Sequence, residues 1–248
     1  MTELLSIQDL ETFVSTRDAL HRVAEHVVAK ARFLDDREIR LTAYPGGFST
    51  PQLADGRRVR VEAGDLVIDV PDAPDAPDGS RRTKLTTIGE AAAFAGIEPG
   101  FPTELYEPAT SFDPDAPLGL DLRSAEALAA WYGFTAGVLA AFAAEIAEAH
   151  PSQLILWPEH FDQAFYTEDA DETRRANYGA SPGDEGNPEP YMYVGPWGTT
   201  TPNEYWNAEH FNGAVLPLSA LIAADGPAQV AMQFLRAGRL LLAPVTTR

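Results

Sequence analysis

The sequence predicts an α+β protein of two repeat-like halves, each running helix, antiparallel strands, helix, and packed as one globule. Three observations lead there. Apolar residues recur at helical spacing at the start and end of each half, with short strand-like runs between them. Residues 41–48 (LTAYPGGF) match residues 154–161 (LILWPEHF) without a gap, so that Leu, an aromatic, Pro and Phe coincide. Residues 98–122 carry five prolines and no sustained period, as expected of a connection between halves.

The elements follow in order. Leu20, Val23 and Val27 predict a first helix from Ser15 or Asp18 to Phe33, preceded by a short helical piece over 7–14. Strands are expected at Ile39–Tyr44, Arg58–Glu62, Asp65–Val70 and Thr83–Thr87. Residues 63–65 (AGD) supply a hairpin turn, and Gly96 ends a helix begun at Gly89. Residues 71–79 (PDAPDAPDG) read as a mobile surface loop. Ser124 opens the longest helix, which runs to about His150 with Leu128, Trp131, Val138, Leu139, Phe142 and Ile146 as its buried stripe. Further strands are read at Gln153–Trp157, Phe161–Thr167, Tyr191–Val194 and Ala214–Leu218, and a last helix at Asp225–Leu241. Residues 168–189 look acidic and turn-rich. The domain reading is therefore 1–97, a Pro-rich connection at 98–122, and 123–248 carrying the candidate site.

Composition narrows the function. The 248 residues hold 18 Lys+Arg against 37 Asp+Glu, a net charge of −19, and both halves share the excess. Such a surface repels polyanions, which argues against nucleic acid and anionic membranes as partners. The absence of cysteine excludes disulfides, zinc–thiolate sites and cysteine nucleophiles. Residues 1–6 lack a basic, apolar leader, and the apolar stretch Trp131–Ala144 is shorter than the roughly 20 residues of a span. A cytoplasmic protein is the expectation.

Five histidines are present. His21, His26 and His150 read as partly exposed surface or capping residues. His160 and His210 each follow a glutamate and precede a phenylalanine. On an extended strand His160 and Asp162 would share a face, with Ala164 and Tyr166 beyond. Three readings stay open: structural hydrogen bonding, a metal-free polar pocket in which His160, Asp162 or His210 is catalytic, and a metal site. The last would use His160, Asp162 and His210, completed by Asp184 or Glu189. Tyr191 and Tyr193 alternate onto one face, either lining a pocket with their hydroxyls or covering the sheet; with Asn177 and Trp157 they form the candidate ligand-binding set. Residues 179–183 (GASPG) match the hydrolase nucleophile elbow in form only, because Pro182 lacks the N–H that an oxyanion hole would use. No phosphate-cradling glycine motif is present, and nothing names a cofactor. Residues 145–209 hold 13 acids against Arg174 and Arg175, which suits a solvated face, an acidic cleft for a cation, or a lid over 168–189.

Several short motifs in order resemble an actinobacterial domain family of unknown function. These are residues 16–21 (TRDALH) with 28–30 (VAK), 157–162 (WPEHFD), 190–193 (PYMY) with Pro196, then Leu216-Pro217 and the helix over 225–235. The family's Phe-Ser-Gly-Arg continuation is replaced here by residues 164–168 (AFYTE), as in a divergent relative. The resemblance implies a soluble α+β fold and, the family having no assigned activity, assigns no catalytic residue either way. The leading expectation is a soluble protein binding a neutral or cationic small molecule, with catalysis left open. The rivals are a scaffold whose acidic face binds a basic partner, and a metal-dependent enzyme.

Overall fold

A computed structural model describes residues 7–70 and 79–242. The leader reading at 1–6 and the mobile-loop reading at 71–78 lie outside the described residues. The ten strands form two antiparallel sheets, each following chain order, and helices precede and follow both. The chain divides into two compact units, Met1–Gly133 with Ile155–Phe161, and Phe134–Leu154 with Asp162–Arg248.

In the first unit, one long helical stretch replaces the expected break near Ser15. It comprises α1 (Leu10–Val23), a π-helical turn (Ala24–Ala29) and α2 (Lys30–Asp36). Asp9 starts it, its carboxylate taking the Glu11 N–H at 3.2 Å, so the cap lies well before the predicted one. Arg37, in the left-handed region at φ 65°, ends it. The strands β1 (Thr42–Tyr44), β2 (Gly47–Ser49), β3 (Arg58–Glu62), β4 (Asp65–Asp69) and β5 (Ser80–Lys84) form a meander. Alternation in β3 and β4 sends Val59, Val61, Leu66 and Ile68 to the core with Phe48 of β2. The strand β2 carries no strand pattern in the sequence because it is three residues long, begins with Gly47 and follows Gly46. Gly47 is required there, since a Cβ would run into the Val61 carbonyl. Helix α3 (Ile88–Ala95) ends at Gly96, φ 72°, as expected.

Residues 97–121 form neither helix nor strand. They are nonetheless anchored within the first unit. Phe101 and Leu118 are buried, the Gly89 N–H meets the Pro114 carbonyl at 2.8 Å, and the Leu118 N–H meets the Thr86 carbonyl at 2.8 Å. The strand β6 (Ile155–Trp157) also belongs to this unit, where Leu41 and Leu156 exchange two backbone bonds of 2.9 Å. The segments β1 and β6 correspond in the matched sequence stretches, and each runs into a turn opened by the aligned proline.

Helix α4 (Leu122–Glu145) is 24 residues long and apolar enough, by length and composition alone, to cross a membrane. The core helix of a globular protein passes the same test, and Leu128, Trp131, Tyr132, Leu139 and Phe142 are buried. The expectation of a stretch too short to span is thus corrected for length. In the second unit, β7 (Asp162–Tyr166), β8 (Ala176–Ser181), β9 (Tyr191–Pro196) and β10 (Ala214–Pro217) continue the meander. One face is core: Gln163, Phe165, Tyr178, Met192 and Val194 are buried, with Phe142 of α4 against Phe165 and Tyr178. After α5 (Leu218–Ile222), α6 (Pro227–Leu241) packs beside β9 and β10. Gly238 permits that approach, because a Cβ there would press on Val194 and the Tyr205 hydroxyl.

The segment 168–189, read as acidic turns or a lid, holds all of β8. Its first part is tied down rather than loose. Asp169 pairs with the buried Arg239, whose Nη1 also donates to the Arg174 carbonyl at 3.0 Å.

Candidate functional site

Antiparallel register decides which side chains meet. On the non-core face of the second unit's sheet it aligns Asp162, Ala164 and Tyr166 of β7 with Asn177, Gly179 and Ser181 of β8. Tyr191, Tyr193 and Gly195 of β9 complete the row. Four candidates from the sequence, Asp162, Asn177, Tyr191 and Tyr193, therefore share one surface.

At its centre, the Tyr193 hydroxyl donates to Asp162 Oδ2. Asp162 is only 7% exposed. Burial, and then the Asp162 charge, push the Tyr193 hydroxyl well above the usual tyrosine range. Beside it the Tyr191 hydroxyl donates to Asp184 Oδ2 at 2.5 Å, and burial with that bond raises this phenol as well. Both phenols thus stay protonated through neutral pH. They act as hydrogen-bond donors, not as bases, and the carboxylates act as acceptors. The Tyr193 ring lies between neighbours that leave room for it. Gly179 sits beneath, where a Cβ would collide with the phenol, and Phe211 meets the ring edge-on at 6.0 Å.

Farther along the same face, Trp197 is 53% exposed, 5.8 Å from the Tyr166 ring, with its Nε1–H donated to Asn177 Oδ1 at 2.9 Å. Ser181 ends β8 as a buried residue whose Oγ accepts the Gly183 N–H at 3.1 Å. Gly183 has φ 99° and a turn follows, so the strand-to-helix context of a nucleophile elbow is absent among the described residues.

The other candidates are placed differently. His160 is not on a strand. It is exposed in the turn after β6, and Phe161, at φ 54°, ends that turn before β7 begins at Asp162. The period-two argument pairing His160 with Asp162 therefore fails, because a left-handed residue interrupts the extended chain between them. Trp157 lies half-buried at the end of β6, in the first unit. His210 is an exposed loop residue whose ring covers Gly186. Asp184 is engaged by Tyr191 and by the Asn187 N–H, and Glu189 accepts the Ser219 N–H. Among the described residues no group of three or more His, Asp or Glu side chains could hold a metal ion, so the alternative built on His160, Asp162 and His210 finds no ligand set.

The first unit draws titratable residues wholly or partly out of water, among them two histidines for which the sequence predicts only surface or capping roles. His21 is stacked on Phe161 at 5.0 Å and 4°, and its Nε2–H donates to the Pro158 carbonyl at 2.7 Å. Burial lowers its pKa to about 4. In the π-helical turn, Glu25 and His26 are fully buried, against the expectation of an exposed His26. No periodic signal marks these residues. The signal the sequence offers is a Glu-His pair inside an otherwise apolar run; the π-helical turn that holds it, a geometry that often attends functional positions, shows only in the structure. No protein-family model, curated protein or solved structure matches the chain.

Proposed function

We propose that this is a small-molecule-binding protein of the cytoplasm whose ligand sits on the tyrosine–aspartate face of the second unit's sheet. One observation carries the reading: buried Asp162 takes the hydroxyl of half-buried Tyr193 on a sheet face that a purely structural layer would fill with apolar side chains. Tyr191 and Asp184 repeat the pairing alongside, and exposed Trp197 offers an aromatic surface near Asn177. With both phenol hydrogens given to carboxylates, the face offers mainly acceptor oxygens, which suit a hydrogen-bond-donating neutral or cationic ligand, in keeping with the −19 charge of the chain.

The test is a thermal-shift screen of amines, polyols and small amides, repeated on Tyr193→Phe and Asp162→Asn. A compound that stabilises the wild type should lose most of its effect in both variants while each still unfolds cooperatively. Equal stabilisation of wild type and both variants would remove the site from this face.

A further inference from the structure

The π-helical turn places two consecutive polar side chains, Glu25 and His26, at zero exposure beneath the irregular segment 97–121. Four donors of that segment converge on one carboxylate. Glu25 Oε1 accepts the Ala109 N–H at 3.0 Å and the Tyr106 hydroxyl at 3.3 Å; Oε2 accepts the Thr110 N–H at 2.9 Å and its hydroxyl at 2.5 Å. His26 adds a bond between Nε2 and Thr110 Oγ1 at 3.0 Å, and its ring lies 4.9 Å from Phe112. On either side the segment is anchored independently. The Gly100 N–H meets the His26 carbonyl at 3.1 Å and Phe101 is buried, while Pro114 and Leu118 bond to the α3 region. Between these anchors Thr103, Glu104, Leu105, Glu107, Ala109, Ser111 and Phe112 are exposed, so little apolar burial holds residues 103–113 down.

We propose that residues 103–113 form a lid over the Glu25–His26 pair, and that the Glu25 carboxylate is the latch that keeps it shut. Releasing the latch opens this span alone and presents a carboxylate and an imidazole, side by side, to solvent. Regions with few buried apolar contacts open at lower free energy than the strands around them, which is how a lid differs from a structural loop. His26 Nδ1 is buried without a hydrogen-bond partner, so the closed state leaves the imidazole an acceptor unused.

Hydrogen-exchange mass spectrometry on the full chain tests the latch. In Glu25→Ala, amides in peptides covering 103–113 should exchange faster by about tenfold or more, with peptides of β3 and β4 unchanged. Thr110→Val, which removes the hydroxyl bonds from the lid side and leaves the helix intact, should reproduce the localised change. Carbethoxylation of His26 by diethyl pyrocarbonate, read by peptide mass, should accelerate in both variants. Unchanged exchange at 103–113 in Thr110→Val would overturn the proposal, and so would faster exchange spread equally through β3 and β4. If Glu25→Ala fails to fold, Thr110→Val decides alone.

Discussion

The two sheets share a meander and a core-facing alternation, yet their opposite faces have been built from different chemistry. On the first, charge meets charge. Arg60 pairs with Glu62 at 2.6 Å and Asp69 at 3.0 Å, Arg82 with Glu62 at 2.7 Å and Asp65 at 3.0 Å, and Lys84 with Asp65 at 2.7 Å. The guanidinium groups of Arg58 and Arg60 lie over the Tyr44 ring at 5.1 and 5.2 Å. On the second, Asp162 and Asp184 each take a tyrosine hydroxyl. That face keeps its charges in a network: Asp65, though buried, meets two cations, and Arg82, Lys84 and Glu62 stay exposed enough for water to stand in for a lost partner. Buried Asp162 instead takes the hydroxyl of a neutral phenol, Tyr193, and a polar pair placed there asks for a use. That difference, not the topology, locates the candidate site in the second unit.

If the charged sheet governed how the first unit responds to acid, its stability would fall only as Glu62 and Asp65 took up protons, below the usual carboxylate range, since their partners lower both groups. His21 predicts an earlier loss. Its pKa is about 4 when folded and near 6.5 when unfolded, so between these values the unfolded chain binds a proton that the folded chain does not. Stability should therefore decline as pH falls from about 6.5 and level off near 4, by about 3 kcal/mol from this group. The measurement is urea denaturation at pH values across that window for wild type and His21→Gln. The variant keeps a donor for Pro158 and has no imidazole, so its curve should be flatter. Parallel curves would assign the acid response to the carboxylates.

Next in size is Gly179→Val. Its side chain would enter the space of the Tyr193 ring and drive that phenol from Asp162, at about 2 kcal/mol of stability. Loss of any ligand response should accompany the change, whereas the same substitution at Gly64, which has only a Leu122 methyl at 3.8 Å from a Cβ, should be far milder. Equal effects at both glycines would mean that the second sheet's polar face is no more constrained than a hairpin turn.

The same ring explains what could be read in advance. Arg58–Glu62 was legible because a half-buried strand alternates, and Gly96 because a left-handed residue must end α3. The strand β8 was not. Residues 176–181 (ANYGAS) lack the β-branched residues that mark a strand, and Gly179 among them is small because the partner strand's phenol occupies the volume a side chain would otherwise fill. Tyr191 and Tyr193 announced a shared face through period-two spacing, and Asp162 joined them. His160 did not, because nothing in the local pattern foretold a phenylalanine at positive φ. Glu25 was invisible for another reason. Its partners are Tyr106, Ala109 and Thr110, some eighty residues away, and no local rule links a buried acid to donors that distant.

Tyr193→Phe isolates one hydrogen bond. It preserves the ring, its contact with Phe211 and its fit over Gly179, and removes only the donor to Asp162. The cost should be roughly 1–2 kcal/mol, because a buried carboxylate loses a partner that water cannot readily replace. Thermal melts of wild type and variant give the number. A cost near zero would mean that water or another group replaces the phenol at little expense, and the face would resemble the first sheet after all.

Arg82→Gln carries the comparison to its smallest effect. The substitution deletes two ion pairs where Tyr193→Phe deletes one hydrogen bond, so a tally of contacts ranks it as the more damaging change. The physical setting reverses that ranking. The Arg82 side chain is 48% exposed, its partners Glu62 and Asp65 keep Arg60 and Lys84, and solvent screens what is lost. The expected cost is under about 1 kcal/mol at low salt, and it should vanish near 1 M salt, where the screening length falls to roughly 3 Å. The Tyr193→Phe cost should survive the same salt, since the donor is a neutral phenol and Asp162 is buried. Paired melts at low and high salt put the two substitutions on one scale. A salt-insensitive Arg82 effect larger than that of Tyr193 would reverse the assignment of structural surface and candidate site.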